Sequence, residues 1–368
     1  MGDMDERMVL LALQEMKGIG WKTVLQVVAA DSNLAGAAGR SEEEWVQLGL
    51  QSTKAALLYN GLHSQDWTTL ERSYQERGIA CVTIWDAAYP PLLRETSQPP
   101  WVLYTIGNTG LFTHPAIALV GTRNPTVYGR RAAEDIAACL AASGVAVVSG
   151  LARGIDGAAH TGALAAKGAT IAVVGGGVDV VYPPEHGRLH ADIAAHGLII
   201  SEFPPGTRVT PGLFPLRNRI IAGLSLATVV VEAAERSGSL ITADQALDES
   251  RDVYAVPGPM NSPKSRGTNQ LLRQGARIVA EPADILRDYA HIPGIRPLDS
   301  AGKQAVQHTA EEEKILQFLS HEPTSIDRLL EMAQTNFGHL HEVLLSLTLK
   351  KSIKALPGAA YVKIESIS

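Results

Sequence analysis

Cysteine is nearly missing: only Cys81 and Cys139 occur, far apart and without His or Cys neighbours at metal-ligand spacing. That scarcity argues against a disulfide framework and a zinc site, and it fits a reducing cytoplasm. Aromatic residues reach only 5%, too few for a surface that stacks base after base. An excess of positive charge is also lacking: 32 basic against 38 acidic side chains leave a formal charge of −6, so any nucleic-acid site has to be a local patch. No stretch approaches the ~20 uninterrupted apolar residues of a membrane span. The opening Met1-Gly-Asp-Met-Asp-Glu-Arg7 is acidic where a signal peptide would be basic, so a soluble protein without a membrane partner is expected.

What is present is the composition of a folded chain, with 45% hydrophobic and 19% charged residues. At 368 residues the chain exceeds what one core comfortably holds, and two or three domains are expected. The pattern divides it into a helical domain over 1–78, an α/β domain over 79–290, a linker over 291–309 and a small domain over 310–368. In the first, Met8, Leu11, Leu13 and Met16 lead to Gly18-Ile19-Gly20, after which Val24, Leu25 and Val28 resume an apolar face. Such a turn suits a helix-hairpin-helix module that presents backbone N–H groups to a phosphate, or a plain helical hairpin. Ser41 before Glu42-Glu-Glu44 reads as a helix cap.

From Ile79 the period changes. Ile79–Ile84 reads as a strand, and Tyr89–Leu93 and Pro99–Tyr104 as extended segments. Apolar runs then recur at 117–120, 145–148, 170–174, 198–200, 227–231 and 253–256, with helix-like stretches at 129–143, 158–167 and 242–250 between several of them. Alternation of this kind predicts a Rossmann-like, mostly parallel sheet buried on both faces. Turn formers gather from Ile292 to Thr309. Beyond them, helices over 311–319, 325–332 and 336–349 and a hairpin over 353–361 with Pro357-Gly358 as its turn predict a winged helix. Its third helix carries Glu342, His339 and His341 rather than the Arg, Asn or Gln that read base edges, so protein contact and DNA reading both stay open.

In an open α/β sheet, ligands bind beyond the carboxyl ends of the strands, and most motifs fall there: Gly121-Thr-Arg123, Ser149-Gly150 with Arg153, Gly175-Gly-Gly177 and Ser201-Glu202. Small residues let backbone N–H groups approach a phosphate, and guanidiniums complete an anion cradle. Arg217-Asn218-Arg219 places two guanidiniums around an amide. The same arginines could instead be buried against Glu202 and Glu232. Ser237-Gly-Ser239 with Thr242 offers a helix-terminal anion site or ordinary caps. Phe214 is the best stacking residue, or else a loop anchor. Asp156 and His160, one helical turn apart, form an acid-base pair or a brace for the loop of Arg153. With no dinucleotide fingerprint, no phosphate-binding lysine loop and no acidic metal cluster, no cofactor is expected.

These motifs, in this order, with Tyr182-Pro183 between them and Phe214-Pro-Leu-Arg-Asn-Arg-Ile-Ile221 and Ser237-Gly-Ser-Leu-Ile-Thr-Ala243 closing the series, resemble the DNA-processing protein A family (DprA/Smf). The resemblance is strong from about Ile79 to Val279. It implies a helical, SAM-like or helix-hairpin-helix-like N-terminal domain, an extended Rossmann-like core and a C-terminal winged helix. It further implies a non-enzymatic homodimer that coats incoming single-stranded DNA in natural transformation, binds double strands more weakly, and helps load the RecA recombinase. The implied contact residues are Arg123, Arg153, Phe214, Arg217, Asn218, Arg219, Ser237, Ser239, Thr242 and Lys264. Two departures stand out. Pro211 and Gly212 lie where some relatives place a lysine before the phenylalanine, and Glu185-His186 lies where many have asparagine. A Rossmann-like nucleotide or nucleoside-monophosphate hydrolase, or an adaptor that meets DNA only through partners, are the rival readings.

Overall fold

The computed structural model describes residues 4–30, 34–64, 66–296, 308–320, 323–350, 352–356 and 359–363. Two compact units divide the chain, Met1–Pro297 and Leu298–Ser368. Most of the expected linker, and the Pro357-Gly358 turn, lie outside the described residues.

The larger unit is built on a nine-stranded sheet. Its strands are β1 (Ala80–Thr83), β2 (Val102–Gly107), β3 (Ala116–Val120), β4 (Ala146–Ser149), β5 (Thr170–Val173), β6 (Leu198–Ser201), β7 (Ala227–Val230), β8 (Asp252–Ala255) and β9 (Arg277–Ile278). Their spatial order is β1-β2-β6-β5-β4-β3-β7-β8-β9. From β6 to β9 all neighbours run parallel, while β2 and β1 add an antiparallel edge. Strands β3 to β7 are buried at every residue, which is why their sequences show runs rather than alternation.

One segment differs from the sequence reading. Tyr89–Leu93 does not stay extended: Pro90 caps a helical turn over Pro91–Arg94, where a fixed proline φ suits the first helical position. Pro99–Tyr104 is extended, as read, and runs into β2, which pairs with β6 as well as β1.

Residues 6–76 form five helices and a 3-10 turn that share a core with the sheet: Leu10, Leu13, Trp45 and Leu58 are buried in one cluster with Trp101, Tyr104, Ala172 and Ile199. Ser41 caps its helix in a reciprocal capping box with Glu44. The Gly18 carbonyl, at a left-handed turn with φ of 88°, accepts from Lys54 Nζ, so a cation already occupies that side of the hairpin.

The smaller unit has helices Ala310–Phe318, Ile326–Ala333 and Phe337–Leu349 and a three-stranded sheet made by Thr324–Ser325, Ala360–Lys363 and Ile353–Leu356. Ile315, Leu329, Leu340 and Leu344 fill its own core. This is the winged-helix arrangement.

Candidate nucleic-acid interface

The strand order reverses at β3. Successive strands β3, β4, β5 and β6 step one way, and β7 returns to the other side of β3. Loops after β3 and β7 therefore part, leaving a crevice beyond the strand ends, the usual ligand position in open α/β sheets. A cleft of ≈ 440 Å³ lies there, lined by Arg123, Asp156, Phe214, Arg217, Asn218 and Ser239 among others.

Three helices start around it: Ile155–Ala165, Leu213–Gly223 and Gly238–Asp248. Gly154 and Gly212 give the helices Ile155–Ala165 and Leu213–Gly223 no side-chain cap; backbone carbonyls serve instead, Thr122 and Ala152 accepting from Ile155 N and Gly157 N and Thr210 from Leu213 N. Gly154 has φ of 80°, and a Cβ there would lie 2.3 Å from the Thr122 carbonyl oxygen. Only glycine lets the loops after β3 and β4 approach so closely.

The helix Leu213–Gly223 decides which motif residues face the cleft. It begins before the Arg-Asn-Arg triplet, with Pro215 inside its first turn, so the three residues are spread around one helix. Phe214, Arg217 and Asn218 fall on one face at i, i+3 and i+4, whereas Arg219 lies about 100° beyond Asn218. The Arg123 guanidinium lies over the Phe214 ring at 4.9 Å, and that of Arg217 at 5.9 Å. Tyr182 approaches the same ring at 5.9 Å. Phe214 is thus an aromatic floor under two cations, one exposed and one buried.

Arg217 is only 5% exposed and packs on the bare Gly150, where a Cβ would come within 1.5 Å of Nη1. Its ion pair with Asp156 is long, 3.9 Å, and its Nε has no protein partner. Burial pushes the Asp156 carboxyl up, while Arg217 pulls it down. Arg219 is placed elsewhere. It is held by Glu202 and the Gln98 carbonyl and does not line the cleft. Glu232 pairs with no arginine among the described residues and accepts instead from Thr126 N and Oγ1, at 2.8 and 2.9 Å.

Ser237 caps the helix Gly238–Asp248, which begins four residues before the expected Thr242. Ser239 and Thr242 are therefore helical, buried and on the cleft wall. Ser149 and Ser201 do not face a ligand, because each donates to a neighbouring strand end, Leu119 and Gly176 respectively. Gly176 and Gly177 pack beneath the loop Pro204–Val209 rather than on the rim. Lys264 sits in the 3-10 turn after β8 and does not line the cleft. Thr122 and Ile241, which lie inside quoted motifs without being candidates themselves, also line it, as does Pro211, noted only as a departure from the family pattern.

Of the two readings of Asp156 and His160 the acid-base pair does not form, whereas Asp156 does brace the loop before Arg153 by accepting from Ala152 N at 3.4 Å. His160 Nδ1 lies 2.7 Å from Thr170 Oγ1, which itself donates to the Val147 carbonyl, so the histidine must donate. Burial lowers its pKa to about 3 from 6.5. An unfolded chain therefore takes up a proton below pH 6.5 that the folded one refuses until about pH 3. Stability conferred by neutral His160 should be complete above pH 6.5 and fall by about 2 kcal/mol by pH 5. Urea denaturation at both pH values should show this loss, and His160→Met should shrink it. An undiminished loss in the variant would place the titration elsewhere.

The core matches the family model "DNA recombination-mediator protein A" over residues 80–290, and residues 299–359 match the "DprA winged helix domain". Protein Smf of Synechocystis is 36% identical over 78% of this chain and 81% of its own length. The DNA processing protein DprA of Bacillus subtilis is 41% identical over 64% and 80%. Among solved structures, the X-ray structure of Streptococcus pneumoniae DprA superposes with a TM-score of 0.68 at 34% identity, covering 76% of this chain and 96% of that one. A Helicobacter pylori structure, described by its single-stranded DNA binding mode, gives 0.53 at 30% identity over 57% and 96%.

Proposed function

The chain belongs to the DNA recombination-mediator protein A family, and from that premise we propose that its switch-point cleft holds the backbone of single-stranded DNA. The observation that carries this reading is the exposed Arg123 stacked on Phe214 above the buried, under-satisfied Arg217. A phosphate meets two guanidiniums there, and a neighbouring base meets one aromatic ring. Few base-edge readers line the cleft, so sequence preference is weak. The single-stranded DNA binding mode described for the H. pylori relative supports the ligand class.

We read the cleft as a binding site without chemistry. Among the described residues, the acids and the histidine nearest in sequence to the cradle are already engaged, Asp156 by Arg217, His160 by Thr170 and Glu232 by Thr126. The wider role rests on the family resemblance alone: a cytoplasmic homodimer that protects incoming strands in transformation and helps load the RecA recombinase. Residues 1–78, 79–290 and 310–368 would then be the domains of that mediator, the first two joined by a shared core.

Fluorescence anisotropy tests the reading. Single strands should bind more tightly than duplex of the same length. With roughly three to five phosphates neutralised, log K should fall against log salt with a slope of about −2 to −3.5. Binding indifferent to salt, or a preference for duplex, would overturn it. Turnover of a nucleotide panel with magnesium would support the hydrolase instead.

A further inference from the structure

A second concavity, of ≈ 780 Å³, adjoins the cleft and shares Arg123 with it. Its floor is the helix Ile155–Ala165, whose Gly157, Ala158 and Thr161 keep the surface low. One wall is the helix Val127–Ala142, bringing Arg130 and Glu134, and the other is the helix Gly187–His196, bringing Arg188 and Asp192. Arg130 is exposed and its side chain makes no ion pair among the described residues. Arg188 faces Asp192 at 3.9 Å.

Arg153 lines the groove, with its guanidinium on the Glu185 carboxylate. That contact is built by the fold. His186, next to Glu185, packs on Gly157 and its Nδ1 meets the Leu151 carbonyl at 3.1 Å, tying the two loops together. Glu185 thus holds an acidic oxygen where a nucleic-acid phosphate would address the same guanidinium fork. Both side chains are about half exposed, 58% and 49%, so solvent screens the pair and an incoming anion can exchange for the carboxylate.

We propose that a bound strand runs from the cleft into this groove, where a backbone phosphodiester displaces Glu185 from Arg153 and the next phosphate meets Arg130, with Glu185 acting as a resident phosphate mimic. This rests on the single-strand reading of the cleft and adds to it a direction, a second set of contacts and a brake. Glu134 and Asp192 oppose a phosphate on either wall, so the groove strengthens the binding of strands already seated in the cleft and does not capture them alone. Short strands end in the cleft. Longer ones bear the cost of exchanging the carboxylate.

The test compares oligothymidylates of about 5 and about 15 nucleotides by anisotropy, in the full chain and its variants. Glu185→Gln keeps the shape and removes the competing charge. The ratio of long to short affinity should rise about 3- to 10-fold. Arg153→Ala should lower that ratio, and adding Glu185→Gln to Arg153→Ala should not raise it again, because the brake acts only through Arg153. Arg130→Ala should lower the ratio in either background. A Glu185→Gln gain equal for both lengths, or one that survives Arg153→Ala, would mean general charge repulsion and would overturn the proposal, as would no gain. Failure of the cleft reading has a different mark: the short strand would then bind equally well after Arg123→Ala.

Discussion

Arg219→Ala is expected to destabilise the large unit by about 3–5 kcal/mol while leaving single-strand affinity per folded molecule unchanged. Arg219 and Glu202 have side chains 15% and 9% exposed, and the guanidinium also serves the Gln98 carbonyl. Burial pushes the Glu202 carboxyl up, and Arg219 opposes it, so removing the arginine strands an acid in a poorly solvated place. Glu202 in turn belongs to a wider brace, since its backbone carbonyl accepts from Gln14 of the N-terminal helices at 2.8 Å. Urea denaturation and anisotropy on the same samples separate the two effects. Pairing Arg219→Met with Glu202→Leu should recover much of the loss, because replacing both charges with apolar groups removes the desolvation penalty. A stable Arg219→Ala protein that no longer binds DNA would return this residue to the interface.

Why sequence alone groups Arg219 with Arg217 is a matter of helical geometry. Two residues apart in a string look like partners, yet two steps around a helix are about 200°, and the pair is divided between ligand and brace. The position of the helix start was the missing fact. Gly212 gives no capping signal, and Pro215 hides the beginning of the helix Leu213–Gly223. Ser237 misled in the opposite sense: three hydroxyls in six residues offered several caps, and the observed one sits earliest.

The parallel strands were legible because burial on both faces writes them as unbroken apolar runs. Strand β2 was harder, since Trp101 and the preceding prolines mask the start of its pairing with β6. The switch point follows from strand order, which no local pattern encodes, although the motifs after β3, β4 and β7 had already gathered around it. Arg130 carries no motif, and Glu185 stands out in the sequence only as a departure from the family pattern after Tyr182-Pro183. Their role is visible only once three helices are placed side by side.

Arg123→Ala should weaken single-strand binding by about 1–3 kcal/mol, roughly 5- to 150-fold, with the fold intact. Arg123 lies on the loop after β3, is exposed, and has no ion-pair partner among the described residues, so its removal uncovers no buried charge. What is lost is a guanidinium poised over Phe214 at 4.9 Å and lining both cleft and groove. Resting on the ring limits the side-chain freedom given up on binding, which favours the upper part of that range. Arg123→Lys should recover only part of the affinity, because an ammonium supplies charge without the flat fork that stacks on the ring and grips two phosphate oxygens. The salt slope should fall by about 0.7 in the alanine variant, one phosphate contact fewer, and return to its original value with lysine. If the alanine variant binds as well as the parent, or if circular dichroism shows it unfolded with affinity per folded molecule unchanged, Arg123 holds loops and not DNA.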